Sequence, residues 1–145
     1  MKTYLLFLSI LMFTSLAIAQ KDPIEKTWYN KEKSSKIQIY KATDGKFYGK
    51  IVWLKITHDE KGEPRKDKHN SDIDAKQQPL NGLLIIKGFS RAENSIVYED
   101  GTIYDPNSGK KYCGKITFKE TELALKGFIC GISLLGKTST WTLAE

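Results

Sequence analysis

The most constraining feature of this chain is a recurring period of two. From about Ile24 onward, polar and apolar residues alternate in short runs, and turn-forming residues separate the runs. Lys36-Ile37-Gln38-Ile39-Tyr40-Lys41 is one such run, and Phe47-Tyr48-Gly49-Lys50-Ile51-Val52-Trp53-Leu54 is the next. Alternation gathers every second side chain on one face of a strand, whereas a helix would scatter them. Asp44-Gly45 between the two runs is a hairpin signal. Gly49 inside the second run predicts a bend or bulge. Further strand signals cover 24–29 around Trp28, 82–86, 95–98, 102–104, 111–119, 122–130 and 137–143 around Trp141. The 82–86 run is continuously apolar and reads as buried on both faces. Glu99-Asp100-Gly101 reads as a turn between two of these strands. No long stretch has helical periodicity. Short strands at hairpin spacing predict an all-β fold, either a sandwich or a single antiparallel up-and-down β-barrel. A barrel of about eight strands has no exposed edges and has room for one small ligand.

The strands are preceded by a different kind of segment. Met1-Lys2-Thr3-Tyr4 is followed by an apolar run over 5–13 and then by Ala17-Ile18-Ala19-Gln20. A basic start, a short apolar middle and an Ala-x-Ala end mark a secretory signal peptide cleaved after Ala19. A membrane-spanning helix needs about 20 apolar residues, and Thr14 and Ser15 interrupt this run too early. The expectation is an exported protein, periplasmic or extracellular, with no membrane span after cleavage. No cysteine follows the cleavage site, so lipid attachment is not expected. The chain from Gln20 to Glu145 suits one domain with a single core.

The full chain carries a formal net charge of +6, and Lys2 leaves with the signal. Lys31, Lys33, Lys36, Lys41, Lys46, Lys50 and Lys55 lie among acids and apolar residues, as the solvated faces and protected edges of strands do. No basic block or recognition motif is present, which argues against nucleic acid as a partner. Weak attraction to anionic envelope polymers or lipid head groups stays open. Cys113 and Cys130 are an even pair in an exported domain, which favours a disulfide. If Thr121-Glu122 turn a hairpin, Phe118 faces Leu125, Ile116 faces Gly127, and Cys113 faces Cys130. Directly opposed residues on antiparallel strands come close enough to bond. Thr-Glu is a poor tight-turn pair, however, and a shifted turn would spoil that register.

Residues 57–78 break the strand rhythm with a long polar connection, a feature that is commonly either functional or mobile. One short helical turn is expected at 72–77. The loop contains both histidines, His58 and His69. No Gly-x-Ser-x-Gly elbow occurs, so serine or cysteine nucleophilic chemistry has no candidate machinery. Asp67, His69, Asn70, Asp72 and Asp74 are dense metal-ligand types, but the central Gly and closing Glu of a calcium loop are missing. Arg65, Lys66, Lys68 and Lys76 would also oppose a cation. No metal or cofactor is expected, and Asx-type turns account for the composition. Asp67 and Asp105 could form a carboxylate pair for glycoside hydrolysis if they lay ~5–10 Å apart. Asp105 has a simpler role in Asp105-Pro106-Asn107-Ser108-Gly109, where its carboxylate can accept from nearby backbone N–H groups. Trp28, Tyr48, Trp53, Tyr104, Tyr112 and Trp141 suit either core packing or the lining of a barrel mouth.

Three stretches carry a family resemblance. They are Gly49-Lys50-Ile51-Val52-Trp53-Leu54; Asp67-x-x-Asn70 followed by Gln78-Pro79-Leu80-Asn81-Gly82-Leu83; and 100–112 with Lys126-Gly127-Phe128 and Gly136-Lys137-Thr138-x-x-Trp141 after it. The chain resembles the bacterial envelope proteins grouped as domain of unknown function 2147. The resemblance implies an exported, lipocalin-like barrel and carries no activity. Two departures stand out. Ser71 follows Asn70 where the family often has proline, and Gln78, Lys126 and Lys137 stand where it tends to have arginine, so bidentate arginine contacts are lost there. Trp28 near the start and Lys137-x-x-x-Trp141 near the end are similar to lipocalins, in which a basic residue covers the first-strand tryptophan. That similarity implies a structural role for Trp28, Lys137 and Trp141.

The leading expectation is therefore non-enzymatic binding of a small, partly apolar or saccharide-like ligand. The site would be the barrel mouth beside the polar loop, using Trp53, Asp67, Asn70, Tyr104 and Asp105. The second reading is a structural or protein-interaction module of the envelope with no small-molecule site, and the third is a carboxylate-based hydrolase.

Overall fold

The alternation of the sequence becomes the inside and outside of a barrel. In the computed structural model, which describes residues 20–144, Ser35, Ile37 and Ile39 point inward while Lys36 and Gln38 lie on the outer side. The signal-peptide reading of residues 1–19 falls outside the described residues. Eight strands follow one another: β1 (Thr27–Tyr29), β2 (Ser35–Lys41), β3 (Phe47–Leu54), β4 (Leu84–Arg91), β5 (Val97–Asp105), β6 (Lys110–Lys119), β7 (Glu122–Ile129) and β8 (Ile132–Leu143). Each is antiparallel to the next, and β8 returns to β1, so the barrel closes in sequence order. The fold is the up-and-down barrel that the strand spacing predicts.

Such a barrel has two ends. The segment before β1 and the β2–β3, β4–β5 and β6–β7 turns share one end. The β1–β2, β5–β6 and β7–β8 turns share the other end with the long 55–83 connection. The first end is plugged. Ile24 is fully buried there, and the Trp28 indole Nε1 donates to its carbonyl at 3.0 Å. Trp28 meets Phe118 edge-on at 6.3 Å, and Phe47 meets Tyr98 edge-on at 5.1 Å. The Asp22 carboxylate takes the Arg91 guanidinium at 2.9 Å and also accepts from the Tyr98 hydroxyl. Burial, and then the bond to Asp22, push the Tyr98 hydroxyl well above its ordinary pKa. Arg91 lies over the Tyr98 ring at 5.6 Å, so the cation that caps this end is Arg91. Lys137 is exposed and far from it. Trp28 pairs with Leu143, six residues along β8 from Lys137, or about 20 Å of extended strand. The expected covering of Trp28 by Lys137 therefore does not form.

Above this plug, bare glycines let large side chains cross the interior. A Cβ on Gly101 would lie 2.2 Å from a Phe89 ring atom, and one on Gly114 would lie 2.6 Å from the same ring. Phe89 is fully buried between them. Gly49 makes similar room for Ile86, whose atoms would lie 3.0 Å from an added Cβ. The register between β3 and β4 also shifts on either side of Gly49, as the glycine in that run predicts.

Four local expectations need correction. Residues 24–26 cap the barrel instead of extending β1, because Ile24 is drawn into the plug. Glu99-Asp100-Gly101 is a bulge within one continuous β5, with Asp100 at φ 63°. Tyr98 pairs with Ile116 and Gly101 with Gly114, which leaves one extra residue on β5. The β6–β7 hairpin turns at Glu120-Thr121, with Glu120 at φ 53°, and Lys119 pairs with Glu122. A two-residue hairpin needs such a left-handed φ, so the turn falls one residue earlier than expected. Cys113 consequently faces Phe128 instead of Cys130. The Cys113–Cys130 disulfide nevertheless forms, with a Cα–Cα distance of 5.0 Å, because Cys130 sits where the chain turns back into β8. The helical turn expected at 72–77 appears as a 3-10 turn over Ala75–Gln77.

The Phe89 contact gives the first testable outcome. Gly101→Ala forces a methyl into the ring and costs about 1–3 kcal/mol in urea unfolding. Combining it with Phe89→Leu is expected to recover part of that loss, and strict additivity of the two changes would contradict the contact.

Candidate functional site

The other end of the barrel is open. A cavity of about 880 Å³ leads down from it. Its deep part is apolar, formed by Ile37, Ile85, Ile103, Leu125 and Trp141, and four of these five are buried. Tyr104, Tyr112 and Phe128 stand on the wall. Asn30, Lys31, Glu32, Asp105, Asn107, Lys137 and Thr138 bring polar groups to the lining. A volume of this size, apolar below with few polar groups above, falls in the usual range of small-molecule sites.

The five residues singled out from the sequence divide into three groups. Tyr104 and Asp105 line the cavity. Asp67 and Asn70 lie behind it and make one cluster with Tyr104. Asp67 is fully buried. Its Oδ1 accepts from the Tyr104 hydroxyl at 2.8 Å, and its Oδ2 accepts from the Asn70 amide at 2.8 Å. Its backbone N–H donates to the Gln78 carbonyl at 3.0 Å, and its carbonyl accepts from the Asn70 N–H at 3.1 Å. Burial, and next the hydrogen bond to Asp67, push the Tyr104 hydroxyl up to about 12. The loop also lies directly on the β5–β6 turn. A Cβ on Gly109, which has φ +70°, would fall 1.8 Å from the His69 carbonyl oxygen. The long polar connection is thus pinned to β5 from behind the cavity wall.

Trp53 falls outside this group, for a reason that lies in the backbone. Phe47, Gly49 and Ile51 are the inward positions of β3, and strict alternation would make Trp53 the next. Lys36 pairs with Trp53 but Ile37 pairs with Ile51, so Val52 is an extra residue on β3. Such a bulge re-aims the side chains beyond it. Trp53 turns outward, 39% exposed, and Leu54 turns in. On the outer face Trp53 meets Tyr29 edge-on at 6.1 Å, with the Lys36 ammonium 5.4 Å above its ring.

Asp105 behaves as its turn sequence predicts. Its carboxylate accepts from the Asn107 N–H at 3.0 Å and from the Ser108 hydroxyl at 2.7 Å. Asp67 and Asp105 therefore serve as anchors of a loop and a turn. Among the described residues, no three His, Cys, Asp or Glu side chains converge as metal ligands. No helix among them is long and apolar enough to cross a membrane. Sequence reasoning overlooked the β7–β8 tip, where Phe128, Ile129, Leu134 and Leu135 also line the cavity mouth. The available signal was the adjacent Leu134-Leu135 pair, which breaks the alternation of its strand.

A closed eight-strand up-and-down barrel, plugged at one end and open to an internal cavity at the other, defines a lipocalin-like barrel. The Helicobacter pylori protein HP1028, described as belonging to the lipocalin family, has a similar structure, with a TM-score of 0.70 and 21% sequence identity over 84% of this chain and 83% of that one. The chain belongs to the bacterial family described as "uncharacterized protein conserved in bacteria" (domain of unknown function 2147), whose profile matches residues 26–143. No curated protein matches the chain.

The Asp67 cluster predicts how this wall responds to change. Tyr104→Phe leaves one buried carboxylate oxygen without a donor and is expected to cost about 1–3 kcal/mol in chemical unfolding. Asp67→Asn turns one of two acceptor oxygens into a donor, so the Tyr104 hydroxyl or the Asn70 amide loses its acceptor and a cost of similar size is expected. A raised tyrosine pKa means the folded state holds that proton more tightly. The associated stability is complete below pH ~10, the ordinary tyrosine value, and is lost as pH rises through the folded value. Absorbance titration should show one tyrosine ionising near pH 12 in the parent protein, and that step should be missing in Tyr104→Phe.

Proposed function

We propose that this protein is an exported, non-enzymatic binder of a small amphipathic molecule, taken apolar end first into the barrel. The observation that supports this reading is the gradient within the cavity. Ile37, Ile85, Ile103, Leu125 and Trp141 line its depth, while Lys31, Asp105, Asn107, Lys137 and Thr138 supply polar groups in its lining. A saccharide buries hydroxyls that need partners at every level, and the deep lining has only the Trp141 indole N–H and the Ser139 hydroxyl to offer. An acyl-like or ring-containing apolar body meets no such cost. Lys31 and Lys137 favour an acidic head group, with Glu32 as the opposing charge. In this reading Tyr104 is the residue that joins ligand wall to loop, Asp105 shapes the rim, and Asp67 and Asn70 hold Tyr104 in place. Export rests on the Ala17-x-Ala19 end of the N-terminal segment, and the Cys113–Cys130 bond agrees with an oxidising compartment.

Displacement of the apolar fluorophore N-phenyl-1-naphthylamine tests the binding. Decanoate is expected to compete, and maltose is not. Ser139→Trp, which places an indole in the cavity lining, should weaken probe uptake by roughly tenfold or more. Probe uptake untouched by Ser139→Trp, or displacement by maltose alone, would contradict the reading. N-terminal sequencing of protein recovered from cells is expected to begin at Gln20.

A further inference from the structure

The β7–β8 tip is built differently from every other hairpin in the barrel. Phe128 pairs with Gly136 and Ile129 with Ile132, so one step on β7 spans four residues on β8. Ser133, Leu134 and Leu135 are extruded as a bulge. Leu134 is 91% exposed and Leu135 71%, with Ile129 and Ile132 about half-exposed or more beside them. Leaving four large aliphatic side chains in water at one point is unfavourable, and a contiguous apolar projection marks a contact surface. The projection is held in place, because Cys130 at the tip is bonded to Cys113 on β6.

The strands that flank it are basic at this end. Lys110 and Lys111 begin β6 at this end, and Lys126 and Lys137 flank the bulge on β7 and β8. No Asp or Glu occurs from Pro106 to Lys119, or from Leu123 to Ala144. Glu120 and Glu122, between those two stretches, lie at the β6–β7 turn on the opposite end. The acids that line the mouth are Glu32 and Asp105, and Asp105 is engaged in its own turn. Among the described residues the two ion pairs are Arg91–Asp22 and Lys115–Glu99, and neither uses these four lysines.

We propose that this tip docks on an anionic lipid bilayer, with Leu134 and Leu135 seated among the acyl chains and the lysines on the head groups. An apolar wedge flanked by cations matches that surface in both respects, as in interfacial membrane anchors. A second protein chain would have to supply an apolar socket ringed by acids, whereas an anionic bilayer offers both in one continuous surface. The docking does not depend on a cavity ligand. If the binding reading above also holds, Leu134 and Leu135 line the cavity mouth, and a seated tip lets an amphipathic ligand pass from bilayer to barrel without crossing water.

The test uses the purified protein and vesicles of phosphatidylcholine with or without phosphatidylglycerol. Leu134→Trp is placed at the tip as a reporter and is read as the difference from the parent protein, in which Trp28, Trp53 and Trp141 also emit. Its emission is expected to shift to the blue with anionic vesicles only, and to be quenched by brominated acyl chains. In flotation, Leu134→Ser with Leu135→Ser should lower vesicle attachment by roughly tenfold or more. Each of Lys110→Gln, Lys111→Gln, Lys126→Gln and Lys137→Gln should lower it by up to about fivefold, and raised salt should do likewise. Lys110, Lys111 and Lys137 are exposed and Lys126 is half-buried, and an unchanged melting temperature confirms that each variant is folded. No change in the Leu134→Trp emission, or equal attachment to neutral and anionic vesicles, overturns the proposal. A dimer in solution that the serine variant converts to monomer, without vesicle attachment, assigns the tip to a second copy instead.

Discussion

The interior of this barrel is organised by one contact, the Phe89 ring lying against two glycines that have no side chains to obstruct it. Gly101 and Gly114 face inward from neighbouring strands, and an added Cβ on either would fall inside the ring's van der Waals envelope. Phe89 therefore crosses the barrel and joins the plug of Ile24, Trp28, Tyr98, Ile116 and Leu123, all fully buried. Packing at this density leaves no room for a guest. The layer above, from Ile37 to Trp141, has no ring reaching across it and borders the open cavity. One end of the barrel supplies stability, and the other is free to be a site.

Two further devices shape the open end. The first is the Asp67 cluster, which clamps the long polar connection to Tyr104 behind the wall and keeps the mouth clear. The second is the disulfide, which fixes the β7–β8 tip to β6 at the rim. The loop does not line the cavity, while the tip overhangs it. The composition of the loop, rich in Asp, Asn and Lys, draws the eye in the sequence; the tip, with its two leucines, does not. The chemical interest of the mouth lies with the tip.

What the sequence made legible was local. Alternation found most of the strands, Asp44-Gly45 found its turn, Gly49 found its irregularity, and Asp105-Pro106-Asn107-Ser108-Gly109 found an Asx turn whose bonds span only three residues. What it hid was set either by single inserted residues or by distant partners. One extra residue at Val52 turns Trp53 out of the barrel, and one near Asp100 hides a continuous strand. Nothing in either run reveals which residue will be skipped, because bulges depend on the partner strand as much as on their own. The bond from Asp67 to Tyr104 spans 37 residues and that from Asp22 to Tyr98 spans 76, distances at which periodicity is silent. The basic face of the tip was hidden in the same way. The charges look thinly spread along the chain, and only folding brings Lys110, Lys111, Lys126 and Lys137 to one end.

The division of the barrel into a packed half and an open half is measured most directly by methyl NMR during titration with decanoate. The predicted result is that methyl signals of Ile37, Ile85, Ile103 and Leu125 shift in a saturable way, while those of Ile24, Ile39, Ile116 and Leu123 hold still. Shifts spread evenly through both sets, or none in the first, would contradict the account.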